Sequence, residues 1–255
     1  MRVISFSADG LIDAEKAGFF DWLATQDADV VCIQDIRCSE YDLRKDAFFP
    51  REYNAYFFDN VNDSSQEGVA IYTKQLPKAI MTGLGFGDFD MEGRYIQADF
   101  GTVSIGALLA PYSAPNDSGA QAKKNEFYQL LVNHLEKVTH KRREFIICGN
   151  WRIAHKAQDV EFTERRSKLP GFLAEERQWI DEITEIGYVD AFREVNSDSD
   201  EYTFWPGGKI GVDGMRTDFQ LVSKGLQYNV DYGAIYKSKT FSTHAPVIMD
   251  YDVEL

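Results

Sequence analysis

Apolar and polar residues alternate in "RVISFS" (2–7), and the run stops at "ADG". Alternation of period two closed by a turn predicts a strand. "DAEKAGFFDWLATQ" (13–26) instead places Ala17, Phe20 and Leu23/Ala24 at helical spacing, which predicts a helix there. "ADVVCIQD" (28–35) reads as a buried strand that ends in an acid. This βαβ opening favours a right-handed crossover and a parallel strand pair. The middle changes character. "YNAYFFD", "GVAIYTK", "KAIMTG", "RYIQADF" and "TVSIGALLA" follow one another with short connections, which predicts hairpins and an antiparallel meander. "AKKNEFYQLLVNHLEKV" (122–138) is an amphipathic helix, and "EFIICGN" is the next strand. "PGFLAEERQWIDEITEIG" (170–187) enters on Pro-Gly and ends on Gly187, a helix with a stop signal. "DFQLVS" and "APVIMDYDVEL" supply the last strands. The expectation is an α/β fold of two packed mixed β-sheets flanked by helices.

The chain has 255 residues and no repeat or long linker, which fits one domain over 1–255. Apolar residues make up 44%, enough for a sizeable core and against disorder. No apolar run is as long as a membrane span, and Met1-Arg2 leads directly into a strand rather than a signal peptide. Three cysteines without zinc spacing (Cys32, Cys38 and Cys148) point to the cytoplasm. The net charge of −14 keeps such a protein soluble and weakens the electrostatic attraction to phosphate backbones.

Ser7, Asp35, Asn150, Asp218 and His244 each lie at or near the end of an apolar segment. Strand ends in α/β sheets line a shared crevice. Singly, Asp35 fits a helix cap, Asn150 a turn and His244 a satisfied buried side chain; together they suggest a site. Cations cluster in "HKRRE" (Lys141, Arg142, Arg143), in "TERRSK" (Arg165, Arg166) and at Lys123/Lys124. Each is either a solvated helix end or turn, or a contact for nucleic acid or a protein partner.

"VISFSADG", "ADVVCIQDIR", "EGVAIYTK", "LAEERQWIDEI", "RTDFQLVS" and "STHAPV" occur in an order that resembles the exonuclease III/AP endonuclease branch of the endonuclease/exonuclease/phosphatase superfamily. The resemblance implies a four-layer α/β sandwich, a divalent metal held by an acid, and in-line attack by water on a phosphodiester. Position by position, Asp35 falls on the metal-binding Glu and Ser7 on an Asn. Leu109 falls on the active-site Tyr, Asn150 on the water-orienting Asp and Arg152 on the Asn after it. Asp218 is kept, Thr243 replaces the Asp before the His, and His244 is kept. Asn150 cannot accept a proton as a carboxylate does, and Arg152 brings a permanent cation. Longer stretches such as "KRREFIICGNWRIAHKAQDV" and "QLPKAIMTGLGFGD" resemble the catabolite repression control (Crc) family, which has lost nuclease function. That likeness implies a post-transcriptional repressor acting with the RNA chaperone Hfq on A-rich mRNA. It implies no enzyme activity, weak or no RNA or DNA binding alone, no metal or other cofactor, and no membrane contact; it permits a weak homodimer. The alternatives are an Mg²⁺-dependent exonuclease III-type or AP endonuclease of DNA repair, with Asp35 on the metal, and a phosphohydrolase that uses the same scaffold on a small substrate.

Overall fold

The structure, a computed structural model, describes residues 1–255. Its strands are β1 (Arg2–Ser7), β2 (Val30–Gln34), β3 (Asn54–Phe58), β4 (Val69–Thr73), β5 (Ala79–Thr82) and β6 (Tyr95–Asp99), then β7 (Val103–Leu109), β8 (Glu144–Asn150), β9 (Tyr188–Asp190), β10 (Asp218–Ser223), β11 (Val230–Ile235) and β12 (Val247–Tyr251). The helices are α1 (Leu11–Lys16), α2 (Phe19–Leu23), α3 (Ser118–Thr139), α4 (Thr163–Arg166), α5 (Ala174–Glu185) and α6 (Ala191–Val195). One sheet runs β11-β12-β1-β2-β4-β3 and the other β5-β6-β7-β8-β10-β9. Each is mixed: β1–β2 and β7–β8 are parallel, and the other pairs are antiparallel.

The alternation of each strand sorts its side chains between two layers, because successive residues face opposite sides of a sheet. In β1, Val3 enters the core between the sheets, whereas Ile4 and Phe6 face α1 and α2. In β8, Ile146 and Cys148 face the other sheet, whereas Phe145 and Ile147 meet Phe127 and Leu131 of α3 and Ile180 of α5. Burying each large apolar side chain stabilises by roughly 1.5–3 kcal/mol. The two packed sheets with helices outside match the expected α/β architecture.

Several elements depart from the sequence reading. The five middle strands form hairpins but not one meander, since β3 and β4 lie in one sheet and β5, β6 and β7 in the other. The stretch 13–26 is two short helices, because Gly18 takes φ 89° between them. That left-handed turn is cheap only for glycine, and it lets Phe19 stack on Phe6 with centroids 4.4 Å apart. The edge strand β9 has only three residues, too few to carry a period. The edge strand β11 has an irregular register, so its alternation is lost.

Register sets the site. Ser7 pairs with Gln34, Leu109 with Asn150, and Asn150 with Asp218. The ends of β1, β2, β7 and β8 and the start of β10 therefore share one edge of the sandwich.

Candidate active site

A crevice of about 610 Å³ opens at that edge, lined among others by Asp9, Asp35, Arg37, Asn150, Arg152 and His244. His244 lines it and is held from behind by Asp218. His244 Nδ1 lies 2.8 Å from Asp218 Oδ2, which also accepts from the hydroxyls of Thr203 at 2.6 Å and Thr217 at 3.2 Å. The imidazole stacks on Phe204 at 4.5 Å. Burial works to lower the His244 pKa, but the charge and hydrogen bond of Asp218, helped by Asp9, outweigh it against Arg152. The ring is held above its usual value and favours the cation.

Asn150 closes on its neighbours. Its Nδ2 donates to Ser7 Oγ at 2.9 Å, and its Oδ1 accepts from the backbone N of Arg152 at 3.2 Å. Arg152 takes φ 53°, which turns its side chain back over the crevice. Its Nη2 lies 3.5 Å from Asp35 Oδ2, and its guanidinium stacks over Tyr112 at 5.5 Å. Thr243 also lines the crevice, and it donates its N–H to Asp9 Oδ2 at 3.0 Å and its hydroxyl to the same oxygen. Leu109 is elsewhere: it is fully buried between the sheets and does not reach the crevice.

Four crevice residues were not singled out by the sequence for the parts they play. Asp9 stands beside Thr243, so a carboxylate occupies the neighbourhood from which the one at 243 is missing. Arg37 binds Asp35 through Nη2 at 2.7 Å and Nε at 3.0 Å. Ser113 is 3% exposed, lines the crevice, and its hydroxyl has no protein partner. Lys124, read as a surface cation, is 1% exposed. Its Nζ bonds Glu176 at 2.6 Å and the Arg152 carbonyl at 2.8 Å, and burial lowers its pKa. A lysine on an amphipathic helix gives no sign of burial until the carboxylate on α5 is placed.

The other cations divide. Arg143 pairs with Asp99 at 3.0 Å, Arg165 with Asp213, and Arg166 with Asp213 at 2.5 Å. Lys141 and Arg142 are exposed and make no ion pair within 4 Å. They precede β8, roughly 20 Å from the crevice along a seven-residue strand.

The donor set fits a divalent metal poorly. Both Asp35 oxygens accept from Arg37, and Arg152 adds a second cation. The neighbouring positions offer a hydroxyl at Ser7 and an amide at Asn150. No three His, Cys, Asp or Glu side chains converge as a metal set.

The chain is 28% identical over 97% of its length to the exodeoxyribonuclease of Bacillus subtilis, 98% of which it covers. It is 28% identical to a DNA-(apurinic or apyrimidinic site) endonuclease of Dictyostelium discoideum, over 97% of this chain and 69% of that protein. In structure it superposes on an AP endonuclease from Archaeoglobus fulgidus with TM-score 0.89, at 21% identity, over 99% of this chain and all of the other. These relationships overturn the expectation that the chain is no enzyme: it sits among nucleases over nearly its full length. That expectation counted lost side chains one position at a time. The folded chain keeps the crevice and the Asp218–His244 pair, and it brings Asp9 to the site from a different segment. The Endonuclease/Exonuclease/phosphatase family model matches residues 7–238, and the chain belongs to that family.

Proposed function

We propose that this chain is a nuclease of the exonuclease III/AP endonuclease kind, which acts on a phosphodiester held in the Asp35–Arg152–His244 crevice. The observation that carries this reading is the buried Asp218–His244 pair, whose imidazole lines the crevice and favours the cation. Asp218 fixes Nδ1, which leaves Nε2 to donate to a phosphate oxygen as charge builds on it. Arg152 adds a permanent positive charge on the same side. Asn150 orients an attacking water through its carbonyl oxygen, which has a second lone pair. It cannot take the water's proton, so that proton passes to solvent as the new P–O bond forms and the P–O bond to the leaving oxygen breaks, and turnover is slow. The test is cleavage of an abasic-site duplex and of a recessed 3′-ended duplex. Wild type cleaves at least one of them, and His244→Ala reduces the rate by about 10²–10⁴-fold. Asn150→Asp raises it. Wild-type rates no higher than those of His244→Ala would sink the reading.

A second reading is favoured by the exposed, unpaired Lys141 and Arg142 at the end of β8 remote from the crevice. In it the fold also acts as a translational repressor with Hfq on A-rich mRNA, as the likeness to the Crc family implies. An acidic chain grips RNA that a basic chaperone already displays, using a few local cations. Binding of A-rich RNA with Hfq present is expected to weaken in Lys141→Ala/Arg142→Ala and to be unchanged in His244→Ala. Equal loss in both variants would refute this division.

A further inference from the structure

The arrangement around Arg37 goes beyond either reading. One guanidinium touches two carboxylates. Arg37 bonds both oxygens of Asp35, at 2.7 and 3.0 Å, and its Nη2 lies 3.4 Å from Asp9 Oδ1. Its Nη1 also donates to the Asp9 carbonyl at 3.3 Å. Arg152 Nη2 reaches the Asp35 Oδ2 that Arg37 already bonds, at 3.5 Å. The two guanidiniums carry two positive charges, which equals the charge of one divalent ion and offsets the two carboxylates. The cations differ in how firmly they are held. The Arg152 side chain is 18% exposed and stacked on Tyr112, whereas that of Arg37 is 44% exposed. Arg37 can therefore leave without opening the core, and its departure leaves two carboxylates facing a single cation.

An independent observation marks the crevice as a ligand site: Ser113, almost wholly buried, lines it with a hydroxyl that no protein group satisfies. Buried hydroxyls are normally hydrogen-bonded.

We propose that Arg37, with Arg152, is the resident cation of this crevice, standing between Asp9 and Asp35 where a hard divalent cation binds once Arg37 is removed. Small hard cations such as Mg²⁺ take oxygen ligands and bind through one or two carboxylates while keeping several waters. Asp9 and Asp35 meet that need only when the guanidinium no longer fills the space between them. The wild-type crevice thus has its positive charge built in and receives phosphate without a metal. This last consequence rests on the nuclease reading; the exchange of cations does not.

The experiment is a Mn²⁺ titration of the full chain followed by electron paramagnetic resonance. Arg37→Ala and Arg37→Gln are each compared with wild type, alone and combined with Asp35→Asn. Both single variants are expected to bind Mn²⁺ at least ten-fold more tightly than wild type, and Asp35→Asn to remove the gain. Arg37→Gln keeps the apolar stem to Cδ and a hydrogen-bonding end group without the charge, so it serves if Arg37→Ala does not fold. Equal affinity in wild type and variants overturns the proposal. So does a gain that survives Asp35→Asn, or the absence of Mn²⁺ binding in every protein. Wild-type cleavage that requires Mg²⁺ would overturn metal independence and leave the nuclease reading standing, whereas failure to cleave leaves the titration unaffected.

Discussion

Two ionic clusters in this molecule use the same two residue types and are built in opposite ways. In one, Arg216 donates from Nε to Asp159 at 2.8 Å and from Nη2 to Asp190 at 2.6 Å, and Arg193 reaches Asp159 at 2.8 Å. The Asp159 and Arg216 side chains are 0% and 2% exposed. The Arg216 guanidinium lies over Phe219 at 4.5 Å, and neither residue has a positive φ. In the other cluster Asp9, Asp35, Arg37 and Arg152 all take φ between 50° and 59°. Such a left-handed conformation costs a non-glycine residue roughly 1–2 kcal/mol. Two of its contacts are long, at 3.4 and 3.5 Å, and it opens onto the crevice. The first cluster is short-bonded, buried and unstrained, and it ties β9, α6 and the chain before β10 together. The second is strained and half open, as sites that meet a ligand tend to be. Salt bridges alone do not mark a functional site; backbone strain and access to the crevice separate the two.

The largest way to break this comparison is Arg216→Ala. It leaves Asp159 buried beside Arg193 alone, and removing one partner of a buried pair costs about 3–5 kcal/mol. A urea midpoint shift corresponding to less than about 1 kcal/mol would put this cluster in the class of the other. Lys124→Met is next, at about 3 kcal/mol, since Glu176 is left as a buried unpaired charge. Adding Glu176→Gln is expected to recover most of that loss, because the amide oxygen still accepts from the backbone N of Gly171 and Leu173. A double-mutant cycle in urea measures the coupling. A smaller effect is expected for Arg152→Gly. The lost long contact and the relieved left-handed backbone offset each other to within about 1 kcal/mol. A loss of several kcal/mol would show that Arg152 is scaffold.

The smallest effect is a pH dependence. The folded-state pKa of His244 is raised above its ordinary 6.5, against burial, by Asp218 and Asp9. Its contribution to stability is therefore complete below pH 6.5 and is lost as pH rises through the folded value. His244→Gln should flatten the melting temperature in the range above pH 6.5. Asp159 has the opposite sign: burial would raise its pKa, but Arg216 and Arg193 lower it below 3.8. Its contribution is present above pH 3.8 and fades on acidification. The two groups thus separate the clusters by pH, the crevice responding on the alkaline side and the scaffold on the acid side.

The sequence made the long or strongly periodic elements readable: β1, β2, β8, β10 and α3. Their alternation is dictated by two buried faces, and burial is what a pattern of apolar residues records. The break at Gly18 was missed because helical spacing continues across it, and β11 because an irregular edge strand carries no clean period. Ser7, Asp35, Asn150, Asp218, Thr243 and His244 could all be located, since each ends or adjoins an apolar segment. Leu109 pairs with Asn150 and faces the space between the sheets as Asn150 does, but an apolar side chain there packs into the core. Asp9 and Arg37 were overlooked because their meeting depends on the left-handed backbone of both: "ADG" announces a turn after β1 but not where Asp9 points, and nothing in the residue types announces the turn after β2. Lys124 is similar: its partner lies 52 positions away on another helix.

The place of β1 in its sheet has a consequence in time. It lies between β2 and β12, with Arg2 opposite Asp250 and Ser5 opposite Val247. As the chain emerges from the ribosome, β1 can join β2 almost at once, but its other edge waits for nearly everything else to be translated. Such long-range pairing is slow to form and leaves a strand edge open meanwhile. The second sheet, whose strands β5 to β10 lie within one continuous stretch, can assemble first. The crevice, which needs Ser7 and Asp9 from the start and His244 from near the end, is therefore completed last.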